Sequence, residues 1–144
     1  MGEIIGAAVI CLDSIWRPEW TTADLPRFRA VVASAHTGSA WISDGNFAVA
    51  SFDLRLPRAD LVIWLERPKC LCLRRALTRV FRRGEPHRPW RLVKVICFIW
   101  NFDRVNRPRI ERLLAEHGPE VPLLRLWSSA QTDAFLESLA AAAV

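Results

Sequence analysis

The sequence predicts an α/β domain: a parallel β-sheet covered by helices on both faces. Two observations carry that expectation. Short, continuous apolar runs without polar alternation read as strands buried on both sides, and they alternate with longer stretches of helical period. Two of these runs also end in an acid, Asp13 and Asp44, at the carboxyl end of a strand, where open parallel sheets bind their ligands.

The elements follow in order. Ala7-Ala8-Val9-Ile10-Cys11-Leu12 is the first strand, stopped by Asp13. Asp24 followed by Pro26 is a cap and first-turn pairing, and Phe28, Val31 and Val32 give a helical stripe that reaches Gly38. Ala40 to Asp44 is the second strand, closed by Gly45-Asn46, and Leu61 to Leu65 is the third, stopped by Pro68. Leu73, Leu77, Val80 and Phe81 then recur at helical spacing until residues 84–89 break the pattern. Further helices are expected from about Leu92 to Phe102 and from Pro108 to His117, the latter closed by Gly118-Pro119. Val121 to Leu126 is the last strand, and Ser128 with Gln131 forms a capping box for the terminal helix.

Composition sets the scale of the molecule. With 144 residues, 51% hydrophobic and 24% charged, the chain suits one domain with a genuine core and is short for two. Twenty Lys and Arg against fifteen Asp and Glu leave a net charge of +5, which fits anionic partners such as nucleotides, nucleic acid or acidic lipid, and equally fits a mildly basic solvated surface. Lys69 and Lys94 apart, the cations are arginines, the side chain with planar, bidentate phosphate geometry. Cys11, Cys70, Cys72 and Cys97 form no C-x-x-C and read as reduced core thiols. The first residues contain Glu3 and no basic segment, and no apolar run approaches the ~18 residues of a membrane span. A cytoplasmic protein without a membrane partner is expected. His36, His87 and His117 share no ligand spacing with the cysteines or with one another.

Several segments, taken in their order and spacing, carry a resemblance. They are Leu12-Asp13 with Trp16-Arg17-Pro18-Glu19-Trp20, Trp41-Ile42-Ser43-Asp44-Gly45-Asn46-Phe47, Asp53-Leu54-Arg55-Leu56 leading to Ala59-Asp60-Leu61-Val62-Ile63-Trp64-Leu65, and Trp100-Asn101-Phe102 with Arg107-Pro108-Arg109-Ile110. Together they resemble the adenylate-kinase-like P-loop nucleotide kinases, specifically the group described as DNA topology modulation proteins, over nearly the whole chain. The resemblance implies an ATP- and Mg²⁺-dependent transfer of phosphate to a nucleotide or nucleoside. The alternative it leaves open is a regulator that binds nucleotide or DNA without chemistry.

The resemblance also implies roles. Asp44 would help hold the Mg²⁺ shell indirectly, although Asp-Gly at a strand end is also a common Asx-turn. Arg75 and Arg79, four apart on one helix face, would stabilise the phosphoryl group in transit, with Arg83 in a lid-like segment over about residues 75–91 and Arg107 and Arg109 pointing back toward it. A solvated basic helix is the other reading of those arginines. Asp13, Arg17, Asn46 and Arg55 would border the acceptor, with Trp16 and Trp20 available to stack a base.

One part of the pattern is missing. No G-x-x-x-x-G-K-[ST] occurs in the chain, so a kinase reading lacks the loop that cradles the β- and γ-phosphates. In the family the phosphate loop follows a central first strand, in the sheet order 2-3-1-4-5. On the order of 20 residues would be needed to supply strand and loop ahead of a helix represented here by residues 1–6. The expectation is therefore an N-terminally shortened form, inactive as it stands, with Met1 an internal residue of a longer product; a decayed copy is the alternative. Without that strand, the two strands flanking it lose their shared neighbour.

Overall fold

The computed structural model describes residues 1–83 and 89–142, with side chains for residues 1–78 and 92–142. Helix α1 (Gly2–Ile5) ends at Gly6, whose left-handed backbone (φ 63°) turns the chain into strand β1 (Ala8–Cys11). The strand stops one residue earlier than its apolar run, and Leu12 and Asp13 open a one-turn helix α2 (Leu12–Ile15). Asp24 does not cap the next helix as its position before Pro26 suggests. Its carboxylate accepts from the Thr21 N–H at 2.9 Å in a reciprocal capping box around a 3₁₀ turn (Thr22–Asp24), which then runs into α3 (Leu25–Ala35).

Strand β2 (Trp41–Asp44) is followed by α4 (Ala48–Arg55), a helix the sequence pattern does not announce, and by a 3₁₀ turn (Leu56–Arg58). Strand β3 (Val62–Leu65) leads to α5 (Lys69–Arg83) and α6 (Pro89–Asn101), and a π-turn (Phe102–Asn106) joins α6 to α7 (Arg107–His117). Gly118 ends α7 with a negative φ (−148°), outside the left-handed region. Its requirement is space, since a Cβ there would lie 3.1 Å from Leu56 Cβ and from Val121 Cγ2. Strand β4 (Leu123–Leu126) is two residues shorter than its apolar run, and α8 (Ser129–Ala142) carries the expected capping box, Gln131 N–H to Ser128 Oγ at 3.1 Å and Ser128 N–H to Gln131 Oε1 at 3.3 Å.

The pairing is parallel throughout, but the strands form two separate sheets of two. Ala8 to Cys11 pair with Trp41 to Asp44, and Val62 to Leu65 pair with Leu123 to Leu126. A continuous sheet therefore does not form among the described residues: β2 and β3 do not pair. The molecule is mixed α/β with small parallel sheets.

Helix α4 links the two halves of the core. Ala50 belongs with Leu12, Phe28 and Val32, against which Ile10 of β1 and Phe47 pack, whereas Ala48 and Phe52 belong with Leu56 and Ile110, against which Val62 and Trp64 of β3 pack. Arg29 fixes α3 to α4 through a two-pronged bond to Asp53, at 2.9 and 2.6 Å. The thiols are free but are not core groups, as Cys70 and Cys97 are exposed and Cys11 and Cys72 half-buried.

Candidate functional site

The turn after β2 is held by one buried cation. Arg55, near the C-terminal end of α4 and 7% exposed, reaches back along its own helix toward the segment before it. Its Nη1 donates to Ser43 Oγ at 2.9 Å and to the Gly45 carbonyl at 3.3 Å, Nη2 donates to the Asn46 carbonyl at 2.6 Å, and Nε donates to Ser51 Oγ at 3.1 Å. Burial lowers its pKa to about 10, which still leaves it charged at neutral pH. The guanidinium thereby fixes the Asp44-Gly45-Asn46 turn from inside instead of presenting its nitrogens to a ligand.

Two residues of that turn have unusual backbones. Gly45 has φ 118°, and a Cβ at this position would lie 3.0 Å from Leu12 Cβ, so glycine satisfies both the dihedral and the approach. Phe47 is left-handed (φ 33°) and precedes α4 without any side-chain cap. Of the first N–H groups of α4, that of Ala50 donates to the Phe47 carbonyl at 3.0 Å, and those of Ala48 and Val49 point, with the positive end of the helix dipole, toward the Asn46 side.

Opposite them stands α7. Asn46, the first turn of α4 from Phe47 to Ala50, Asn106, Arg109 and Ile110 line an open cleft of about 200 Å³. That volume is below the ~300–1,000 Å³ of a pocket that engulfs a whole small-molecule ligand. It suits one tetrahedral anion, with the remainder of a larger ligand outside. One guanidinium, two carboxamides and a helix N-terminus are donors of the kind phosphate oxygens accept from.

The structure brings Asn46 and Arg109 together at this cleft, adds Asn106, and places Asp13, Arg17, Asp44, Arg55, Arg75 and Arg107 outside its lining. Asp44 is exposed at the last pair of β2, opposite Cys11. Asp13 is exposed on α2, and Arg17 is exposed with its guanidinium 5.8 Å from the Trp20 ring centroid. Arg75 is exposed on α5, and the side chains of Arg79 and Arg83 lie outside the described residues, as does most of the lid-like segment. Arg107 is engaged with carboxylates: it bonds Glu66 and, at 3.1 Å, Asp103, and it stands 5.6 Å from the Trp64 ring centroid. The hydrogen bond to Glu66, with that to Asp103 second, raises its pKa. Arg125 lies 5.1 Å from the same ring centroid and bonds Glu111 at 2.7 Å.

Asn106 has no signal in the sequence, because it sits in the π-turn, which no period marks. The fit to the cofactor of the resemblance is partial. Asp44 is a single exposed carboxylate of the sort that contacts Mg²⁺ when phosphates complete its shell, but the 144 residues contain no glycine-rich loop with lysine for the β- and γ-phosphates. The donor set fits a single phosphate group and does not fit Mg-ATP. Comparison of the chain with protein-family models, with curated proteins and with solved structures returned no match.

Proposed function

We propose that the chain is a nucleotide-kinase-like phosphate binder: residues 1–144 hold the phosphate of a nucleotide at the Asn46/Asn106/Arg109 cleft and perform no phosphoryl transfer by themselves. The observation that carries the reading is the cleft that Asn46, Asn106 and Arg109 line together at the start of α4, beside a turn locked by Arg55. The break between β2 and β3 is also what the nucleotide-kinase resemblance leads one to expect when a central strand is missing. Transfer from ATP needs charge stabilisation on both sides of the moving phosphoryl group, and the cleft provides donors for one phosphate only.

Calorimetric titration of the protein with nucleoside monophosphates and with the corresponding nucleosides tests the reading. The monophosphates are expected to bind, the nucleosides to bind at least about tenfold more weakly, and R109A to lose about tenfold for the monophosphates alone, the worth of one charge-assisted contact. Equal affinity for nucleoside and monophosphate, or an affinity indifferent to R109A, would sink it.

A further inference from the structure

The α5–α6 hairpin concentrates the positive charge of the molecule. Residues 67–102 hold ten Lys and Arg and a single acid, Glu85, for a net charge of +9; the whole chain is +5, so the remaining residues sum to −4. The charge is therefore unevenly distributed along the sequence; the described side chains of this span include Arg67, Lys69, Arg74, Arg75 and Lys94 and no acid, a balance that favours anionic partners.

The hairpin also exposes apolar surface of a kind that phosphate binding does not require. Helix α6 packs on α5 and on the π-turn, with Leu92 and Ile99 half-buried, and it leaves Val93 57%, Phe98 53% and Trp100 65% exposed. At about 100° per residue, Trp100, Val93 and Cys97 fall within about 80° of one another, and Phe98 lies on the far side of Lys94. Val105, in the π-turn that follows α6, is 59% exposed. Lys69 donates to the Trp100 carbonyl at 3.2 Å, lies 5.9 Å from the centroid of its ring and pairs with Asp103 at 2.9 Å, placing an ion pair at the edge of this face.

We infer that the α6 face, flanked by the basic α5, is a docking surface for an anionic lipid bilayer, on which the hairpin lies without crossing. Apolar and aromatic side chains bounded by cations are what an interfacial helix presents to headgroups and the upper acyl chains. None of the helices among the described residues is long and apolar enough to span. Charge decides between occupants: a second copy would bring two +9 hairpins together. A nucleic acid would match the charge and leave the valine, phenylalanine and tryptophan surface unused.

Sedimentation of the full chain with vesicles tests the inference, using phosphatidylcholine alone and a mixture containing phosphatidylglycerol. Binding is expected only to the anionic vesicles, weakening as salt rises. V93D/W100D and R74E should each reduce partitioning about tenfold or more, with unchanged circular dichroism. Hydrogen exchange on the unmodified protein gives a second readout that no folding defect can confuse, with slowed amides expected across residues 92–101 upon vesicle addition. No sedimentation, equal binding to neutral vesicles, or protection confined to other segments overturns the inference. So does V93D/W100D binding vesicles as the parent does, or a double-stranded oligonucleotide that competes with the vesicles and binds V93D/W100D undiminished, since the attraction would then be for polyanions. Self-association abolished by V93D/W100D, with no vesicle binding, would reassign the face to a second copy.

Discussion

Arg55 and Asn46 are joined by a 2.6 Å hydrogen bond from the buried guanidinium to the Asn46 carbonyl, and this bond sets the direction in which the cleft's first residue leaves β2. The same side chain serves Ser43, Gly45 and Ser51, so one planar fork satisfies three polar groups of a turn that would otherwise close over unpaired oxygens.

Replacement of Arg55 by methionine keeps much of the volume and removes every donor. The acceptors at Ser43, Gly45 and Asn46 then lose a charged partner, and the expected destabilisation is about 2–4 kcal/mol. R55K should recover part of it, because an ammonium reaches fewer of these oxygens at once. Urea unfolding measures both. A loss below about 0.5 kcal/mol for R55M, the range of an ordinary surface change, would show that the turn holds without its clamp.

The separation of the sheets makes a prediction about individual amides. In a parallel pair, alternate residues of a strand bond to the one neighbour. Val62 N–H bonds the Pro122 carbonyl and Glu66 N–H the Leu126 carbonyl, both at 2.9 Å, so Val62, Trp64 and Glu66 face β4. Ile63 and Leu65 face the other edge, where no strand pairs among the described residues. Residue-resolved hydrogen exchange should therefore alternate along β3, with Ile63 and Leu65 faster than Val62 and Trp64. Uniform protection along the strand would mean that a further strand, from this chain or another, occupies that edge.

How far the sequence could be read follows from these particulars. The four strands were legible because continuous apolar runs announce burial, although β1 and β4 are shorter than their runs where Leu12 turns into α2 and where Val121 and Pro122 precede the ladder. Helix α4 was not, because Ala48 to Arg55 begins after a left-handed Phe47 with no side-chain cap, and its interior mixes small, apolar and acidic residues. That omission hid the position of Arg55, whose burial depends on α4 existing. The cleft was half legible: Asn46 and Arg109 were singled out separately, but their meeting requires α7 to pack against α4, a tertiary fact with no local signature. Arg107 belonged to the same arginine pair in the sequence, and the structure commits it to Glu66 and Asp103.

His36 makes stability depend on pH in the mildly acid range. The ring is 2% exposed at the end of α3, its Nδ1 donates to the Val32 carbonyl at 2.6 Å, and its Nε2 is buried with no hydrogen-bond partner among the described residues. Trp41 lies edge-on to it, with ring centroids 4.7 Å apart, and Arg58 bonds the backbone carbonyl of His36 itself. Burial, and then the charges of Arg55 and Arg58, hold its pKa below the usual histidine value, against the opposing pull of the Val32 bond. A histidine whose pKa is depressed in the folded state binds its proton more readily when unfolded. Its contribution is complete above the unfolded pKa of about 6.5 and is lost as pH falls below it toward the folded value. Asp53 has the same sign at lower pH, because its bond to Arg29 depresses its carboxyl pKa and that stability is lost only below about pH 4. The urea midpoint is therefore expected to fall between about pH 6.5 and 4.5 in the parent, and to stay level over that window in H36Q, which cannot take up the proton. An identical slope in both proteins would place the responsible proton on another group.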